Sequence, residues 1–139
     1  MTDQPAITVD GHAIPLLGFG TWNLTPEVAR TMVAEALRIG YRHIDTAWIY
    51  HNEAAVGDGI RDAVEVGHVA REDIWLTTKI WVQHFDRDGL LRQAAESAAS
   101  LGFTPDLLLL HWPKTEPSLE ETLGALNEAK DQGLTRTIG

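Results

Sequence analysis

Four ionisable side chains stand at or just after the ends of apolar segments in this sequence. Asp45 ends one such segment, Tyr50 follows it by five residues, and Lys79 and His111 end two later segments. Each residue alone has an ordinary structural interpretation: a helix cap, a packed phenol, a lysine that reaches solvent along its stem, or a structural imidazole. If the three segments are neighbouring parallel strands, their carboxyl ends meet at one rim and bring the four side chains together. Packing alone does not require that set, so the spacing predicts an active site at this rim.

The chemistry that these four residue types support is proton donation under electrostatic control. A phenol is a weak acid at neutral pH, with an ordinary pKa of ~10. A nearby ammonium favours the phenolate, and a carboxylate behind the ammonium keeps it charged and in place. Tyr50, Lys79 and Asp45 fit these roles in that order, while His111 as a neutral imidazole would orient and polarise a carbonyl oxygen. Protonation of that oxygen while hydride reaches the carbon is carbonyl reduction, and the hydride must come from a nicotinamide because no side chain supplies one.

The elements that would position these residues follow a regular pattern. A β-hairpin is predicted over residues 7–14, because apolar and polar residues alternate around Asp10-Gly11, a dipeptide suited to a type I′ turn. Strands and amphipathic helices then alternate, and a glycine follows each helix. The predicted strands cover residues 16–20, 42–45, 74–79 and 106–110, with a fifth beginning at Thr135.

The predicted helices carry recognisable start and stop signals. The first has Thr25 as N-cap and ends before Gly40, the second runs from about residue 52 to 67, the third covers 87–101, and the fourth opens with a capping box, Ser118 to Glu121. Apolar stripes are expected to face the core. Their members are Val28, Met32, Val33, Ala36 and Leu37 in the first helix, Val56, Ile60 and Val64 in the second, and Leu119, Leu123 and Leu126 in the fourth.

This order of elements predicts an α/β fold with parallel strands. A doubly wound sheet would carry a phosphate-binding glycine fingerprint, but the segment 18–23 lacks the third glycine and the next acidic residue, Glu27, comes too early. A (β/α)8 barrel is therefore favoured. Such a barrel takes ~250 residues, so the expectation is its N-terminal half as one partial domain, residues 1–139: a hairpin, four βα units and the start of a fifth strand.

Composition excludes several classes of protein. The chain has 139 residues, no cysteine, and 11 Lys plus Arg against 20 Asp plus Glu, which gives a formal net charge of −9. Disulfide scaffolds and thiolate metal sites are thereby excluded, and a reducing, cytoplasmic location is predicted. The scattered basic residues argue against nucleic acid or an anionic membrane as partner. No His pair has the spacing of a metal site, so a small molecule is the expected ligand.

The four residues lie in stretches that resemble the aldo-keto reductase family, and within it the bacterial 2,5-diketogluconate and methylglyoxal reductase-like group. The resemblance extends from the hairpin to the final residues, 133–139. The matching stretches are LGFGTW (17–22), GYRHIDTAWIYHNE (40–53), TTKIW (77–81) and LHWP (110–113).

The resemblance implies that Asp45, Tyr50, Lys79 and His111 are the family's catalytic tetrad, with Tyr50 as the acid. NADPH is the implied cofactor, with NADH as the alternative, and an aldehyde, ketone or dicarbonyl is the implied substrate. In the family, later strands supply most of the cofactor contacts. The resemblance assigns cofactor contacts to Gly20, Thr21, Trp22 and Asp45, and substrate contacts to Trp22, Trp48, Ile49, Trp81, His111 and Trp112.

Other interpretations stay open at this point. A catalytically inactive fragment or interaction module would keep the motifs without binding cofactor. A Schiff-base aldolase would use Lys79 as the nucleophile, although a carboxylate that keeps the lysine charged disfavours it. Open sheet edges would allow self-association or complementation by a separate second half.

Overall fold

The computed structural model describes residues 4–139, and residues 1–3 of the predicted domain lie outside the described part. The predicted alternation of strands and helices is confirmed. The strands are β1 (Ala6–Val9), β2 (His12–Pro15), β3 (Phe19–Gly20), β4 (His43–Asp45), β5 (Trp75–Ile80), β6 (Leu107–Leu110) and β7 (Thr137–Ile138). The helices are α1 (Pro26–Ile39), α2 (Glu53–Glu65), α3 (Arg87–Leu101) and α4 (Leu119–Asp131), with 3₁₀ turns at Trp48–Tyr50, Arg71–Asp73 and Val82–His84.

The N-terminal hairpin forms as predicted. Strands β1 and β2 pair antiparallel, with Ala6 opposite Pro15 and Val9 opposite His12. The two turn residues, Asp10 and Gly11, have φ values of 49° and 80°, which is the left-handed region that a type I′ turn requires at both positions. This hairpin forms a separate two-stranded sheet.

The remaining strands form one parallel sheet in the order β3-β4-β5-β6-β7. The predicted strand 16–20 is too long, because only Phe19–Gly20 pairs with β4. One row of residues runs across the whole sheet: Gly20 pairs with Asp45, Asp45 with Thr77, Thr77 with Leu107, and Leu107 with Thr137. The row runs obliquely, from the carboxyl ends of β3 and β4 to the amino ends of β6 and β7. Because all five strands are parallel, their carboxyl ends lie at one edge of the sheet.

The helices pack side by side against the sheet, and their buried faces differ in part from the predicted stripes. In α1 the buried residues are Ala29, Val33, Ala36 and Leu37. Val28 and Met32 are 44% and 37% exposed, so their assignment to the core was wrong. The apolar arc of this helix is wider than the surface it covers, and these two residues fall at its outer edge.

The predicted buried stripe is correct for two residues of α2 but for only one residue of α4. Val56 and Ile60 of α2 are fully buried, as predicted. In α4 Leu126 is buried, but Leu119 and Leu123 are exposed, which corrects the predicted stripe because Ala125 and Ala129 face the sheet instead. In the part of the chain described, 4–139, no helix combines the length and apolarity needed to cross a membrane.

Helix α2 lies unusually close to its neighbours because two glycines face them. A Cβ added at Gly57 would lie 2.0 Å from the carbonyl oxygen of Leu101, and one added at Gly59 would lie 2.5 Å from that of Arg30. These positions have no room for a side chain, so the backbones of α1, α2 and α3 set the spacing of the helical layer.

We expect Gly57→Ala to destabilise the protein by about 1–3 kcal/mol, since the added methyl group forces α2 away from α3. Gly124→Ala is the matched control, because Gly124 lies in α4 with open space around its Cβ position. That change is expected to stabilise the fold by about 1 kcal/mol through helix propensity. Denaturant unfolding measures both free energies. A Gly57→Ala protein as stable as the wild type would contradict the close-packing argument.

Candidate active site

The four predicted residues lie at the edge formed by the carboxyl ends of the parallel strands. Asp45 ends β4, Lys79 is the fifth residue of β5, and His111 follows β6 directly. Tyr50 ends the 3₁₀ turn between β4 and α2, where its N–H donates to the carbonyl of Ala47 at 3.1 Å. The four side chains therefore lie together at this rim, as the spacing of the segment ends predicts.

Lys79 is the best-anchored member of the group. Its Nζ donates to Oδ2 of Asp45 at 2.7 Å and to the carbonyl oxygen of Thr46 at 2.9 Å. The lysine side chain is 14% exposed and that of Asp45 is 35% exposed. Two charge-assisted hydrogen bonds on a largely buried side chain fix the position of Nζ.

Tyr50 and His111 complete the cluster. The Lys79 ammonium lies 5.3 Å from the centroid of the Tyr50 ring. The rings of Tyr50 and His111 meet edge to face, with centroids 5.6 Å apart and an interplanar angle of 83°. Phenol, ammonium and imidazole therefore surround one small region of the rim, and their individual roles stay predictions.

The surroundings of His111 favour a neutral imidazole. Burial lowers the pKa of His111, the nearby Lys79 charge lowers it further, and Asp45 opposes the shift. The Nδ1 atom of His111 is buried without a hydrogen-bond partner among the described residues. The Trp81 ring stands nearly perpendicular to the imidazole at 5.2 Å. A neutral imidazole carries one N–H donor and one acceptor nitrogen, and the donor is suited to orienting a carbonyl oxygen.

A cavity of about 530 Å³ opens beside the cluster and is lined by most of the aromatic residues predicted to form pocket walls. Trp48 does not line it and instead contacts the rings of His51 and His84, at centroid distances of 5.6 and 5.3 Å. A groove of similar volume between α1 and α2 contains none of the four ionisable residues. The rim cavity is lined by Trp22, Asn23, Ile49, Tyr50, Trp81, His111 and Trp112.

The four residues assigned to cofactor contacts differ in how accessible they are from the rim. A Cβ at Gly20 would meet open space, Trp22 is 74% exposed, and Asp45 presents its carboxylate to the rim. Thr21 is fully buried, and its hydroxyl donates to Oγ1 of Thr46 at 2.8 Å. Its side chain is therefore turned away from the rim, so a cofactor could meet this residue only through the backbone.

A set of buried polar residues lies behind the rim, and the sequence patterns did not predict it. Asn52 and Thr46 are buried beneath the loops that carry Tyr50 and Trp22. Glu53 is 5% exposed and accepts a hydrogen bond from the hydroxyl of Thr78, at 2.5 Å. The available signal was Asn52-Glu53 at the start of a helix, which is indistinguishable from an ordinary capping pattern until the tertiary contacts are known.

The environment of Glu53 gives the protein a specific pH dependence. Burial raises the pKa of Glu53, although the hydroxyls of Thr78 and Ser97 oppose the shift. A raised folded-state pKa means that the protonated form fits the site better. The stabilising contribution is therefore complete below the ordinary glutamate pKa and is lost as the pH rises towards the folded-state value.

We expect Glu53→Gln to remove the loss of folding stability at higher pH, because glutamine keeps an acceptor for Thr78 without a buried charge. The variant and the wild type should be equally stable at acidic pH, below the ordinary glutamate range. At neutral pH the variant should be more stable by about 1 kcal/mol, the usual scale of a single substitution. Glu96→Gln on the exposed face of α3 is the control and should leave the pH dependence of unfolding unchanged. A difference that shrinks with rising pH would contradict the assignment.

Comparison with known sequences gives one family. The model of the aldo/keto reductase family matches residues 16–139. Methylglyoxal reductase DkgB of Escherichia coli O157:H7 is 46% identical over 130 residues, which cover 91% of this chain and 47% of that protein. The chain spans about half the length of the curated relatives it matches.

Solved structures give the same result. An aldo-keto reductase of Bombyx mori in complex with NADP has a TM-score of 0.89 and 36% identity, and the match covers 100% of this chain and 50% of that one. An aldo/keto reductase from Brucella melitensis has a TM-score of 0.89 and 40% identity, and covers 98% and 53% of the two chains.

Proposed function

The chain belongs to the aldo/keto reductase family, and we propose that it carries the proton-transfer half of a reductase that converts a small aldehyde, ketone or dicarbonyl to the alcohol at the expense of NADPH. The observation that supports this most is the position of Lys79. Its ammonium is fixed by Asp45 and Thr46 and lies against the Tyr50 ring.

Tyr50 is the proton donor in this proposal. As the phenol releases its proton to the substrate oxygen, negative charge develops on the phenol oxygen, and the fixed ammonium of Lys79 stabilises it. The ion pair with Asp45 holds the Lys79 ammonium in place beside the phenol. The same ion pair opposes the Schiff-base alternative, because an amine held as ammonium is not a nucleophile.

His111 orients the substrate. Its lowered pKa keeps the imidazole neutral near neutral pH, so it hydrogen-bonds the carbonyl oxygen without competing with Tyr50 as the acid. Trp22, Trp81 and Trp112 form apolar walls around this point, which lower the local dielectric and strengthen the interactions of the polar groups. Trp48 and Ile49 are proposed as further substrate contacts on the same rim.

The rim fits the nicotinamide end of NADPH. One oxygen of Asp45 is bonded to Lys79, whereas Oδ1 has no hydrogen bond among the described residues and can accept one from a ribose hydroxyl. Gly20 leaves space beside it, and Trp22 offers an exposed flat face. When bound, NADPH supplies the hydride for the reduction.

Three further points stay predictions within this proposal. NADH is the alternative cofactor. A cytoplasmic location is proposed from the cysteine-free composition of the chain. Self-association or pairing with a second half is proposed at β3 and β7, since each pairs on one side only among the described strands.

Binding of NADPH is expected to quench tryptophan fluorescence, because Trp22, Trp81 and Trp112 surround the proposed site. A titration of the protein with NADPH, followed at the tryptophan emission, measures this. Trp75 lies in β5, 5% exposed and away from the rim, so Trp75→Phe should keep the quenching, whereas Trp22→Phe should weaken it. Absence of any NADPH-dependent change would favour the alternative of an inactive fragment or interaction module.

Tyr50→Phe is expected to abolish carbonyl reduction and to leave NADPH affinity nearly unchanged, because only the proton donor is lost. Loss of a general acid lowers rates by roughly 100- to 10,000-fold. Tyr41→Phe is the matched control, since Tyr41 packs against Phe19 at 5.9 Å and has no place in the mechanism. Activity within a few-fold of wild type in Tyr50→Phe would refute the assignment.

A further inference from the structure

Asn52 occupies the N-cap position of α2 without capping it. Its φ and ψ are −131° and 9°, and its side chain makes no hydrogen bond to the helix. Asparagine is favoured at this position because its oxygen accepts from the first helical N–H groups. Here the side chain is 1% exposed and bonds the segment between β3 and α1 instead of the helix.

The amide nitrogen of Asn52 holds the loop between β3 and α1. Nδ2 donates to the carbonyl oxygens of Thr21 at 2.9 Å and Leu24 at 3.1 Å, which uses both of its hydrogens. These two carbonyls flank Trp22 and Asn23, and Asn23 has a φ of 60°. The position of the Trp22 wall is therefore fixed from a residue that lies about thirty positions later in the chain.

The amide oxygen of Asn52 closes a buried ring of hydrogen bonds. It accepts from Oγ1 of Thr46 at 3.3 Å, and that hydroxyl accepts from Oγ1 of Thr21 at 2.8 Å. Thr21 and Thr46 are both fully buried. A buried polar ring of this kind holds one geometry, because any displacement leaves a group unpaired.

This ring reaches the proposed proton-transfer group directly. The carbonyl oxygen of Thr46 accepts from Nζ of Lys79 at 2.9 Å. Tyr50 lies two residues before Asn52, at the end of the 3₁₀ turn Trp48–Tyr50. The Asn52 amide thus bonds both the loop that carries Trp22 and Thr46, which is the acceptor of Lys79. Tyr50 lies on the same segment as Asn52.

We propose that Asn52 is a positioning residue that locks the Trp22 loop to the Tyr50 loop and so holds the substrate wall, the proton donor and the acceptor of Lys79 in one geometry. The catalytic part of this inference rests on the proposed function. The structural part, coupling of the two loops, does not.

Asn52→Asp is the first test, since it is isosteric and keeps an oxygen for Thr46 but places an oxygen against the carbonyls of Thr21 and Leu24. Amide hydrogen exchange measures the result without cofactor. The reporters are the N–H groups of Leu24 and Tyr50, which are bonded to Thr21 and Ala47. Exchange in residues 20–25 and 46–52 should rise together by ~10-fold or more, because unpaired buried groups cost at least that factor. Exchange in α3 and α4 should stay unchanged.

The matched control is Asn127→Asp. The Asn127 amide donates to the carbonyl of Leu123 on the exposed face of α4, at 2.9 Å, so the same substitution should leave both loops unchanged. If Asn52→Asp does not fold, Thr46→Val decides the question, since it opens the same ring and keeps the carbonyl that Lys79 uses. It should also mobilise both loops. Exchange that rises in one loop only, or uniformly along the chain, would overturn the proposal.

The catalytic part is read from NADPH oxidation with methylglyoxal as the probe. Asn52→Asp should lower kcat by ~10-fold or more at temperatures where it is fully folded, because the donor and the ammonium lose their alignment. A purely structural role would leave kcat of the folded protein unchanged, and that result would overturn the catalytic part. If the wild type itself does not oxidise NADPH, the proposed function fails, and hydrogen exchange alone still decides whether Asn52 couples the loops.

Discussion

The ion pair between Lys79 and Asp45 is the interaction on which the geometry of this rim depends. Its 2.7 Å contact joins neighbouring strands, and the register in which Asp45 lies opposite Thr77 brings the lysine, two residues further on, within reach. A partly buried ammonium without this partner would carry an uncompensated charge. The register of β4 and β5 and the position of the charge are therefore mutually dependent, and a slip of one residue would turn Lys79 towards the helices.

Strand β5 is also hydrogen-bonded to the helical layer, on the side opposite the Lys79–Asp45 pair. Thr78 donates to the buried Glu53 of α2, and the N–H of Trp81 donates to Oε1 of Gln93 in α3 at 2.7 Å. These bonds fix the strand on both sides of Lys79 from the helical layer. The glycines of α2 that permit close contact with α1 and α3 therefore affect the site, because they set the distance from which Glu53 reaches the strand.

Turn and cap residues in the sequence predicted the strands and helices well, but they could not predict contacts between distant residues. Asp10-Gly11 and the Thr25 cap are decided by residues within four positions, so composition and spacing were sufficient. Ends of apolar runs located the rim because parallel strands share one carboxyl edge. The core face of α1 was partly wrong, since the extent of the buried arc depends on neighbouring helices. The inward rotation of Thr21 depends on Thr46 and Asn52, which no local pattern relates to it.

Each end of the sheet has an aspartate paired with a basic side chain, but the two carboxylates differ in how fully they are hydrogen-bonded. At the amino end of β6, Asp106 is 2% exposed at its side chain and accepts from Arg71 at 3.1 Å, from Arg136 at 2.6 Å and from the N–H of Leu76 at 2.9 Å. Both of its oxygens are bonded within the protein, so this carboxylate stabilises the packing of the strands around it. At the carboxyl end, Asp45 is 35% exposed and is bonded to Lys79 through one oxygen. A carboxylate with an unoccupied oxygen and an ammonium fixed beside a phenol retains bonding capacity for a ligand. The unoccupied oxygen of Asp45, rather than the presence of an ion pair, is what distinguishes this end of the sheet from the amino end.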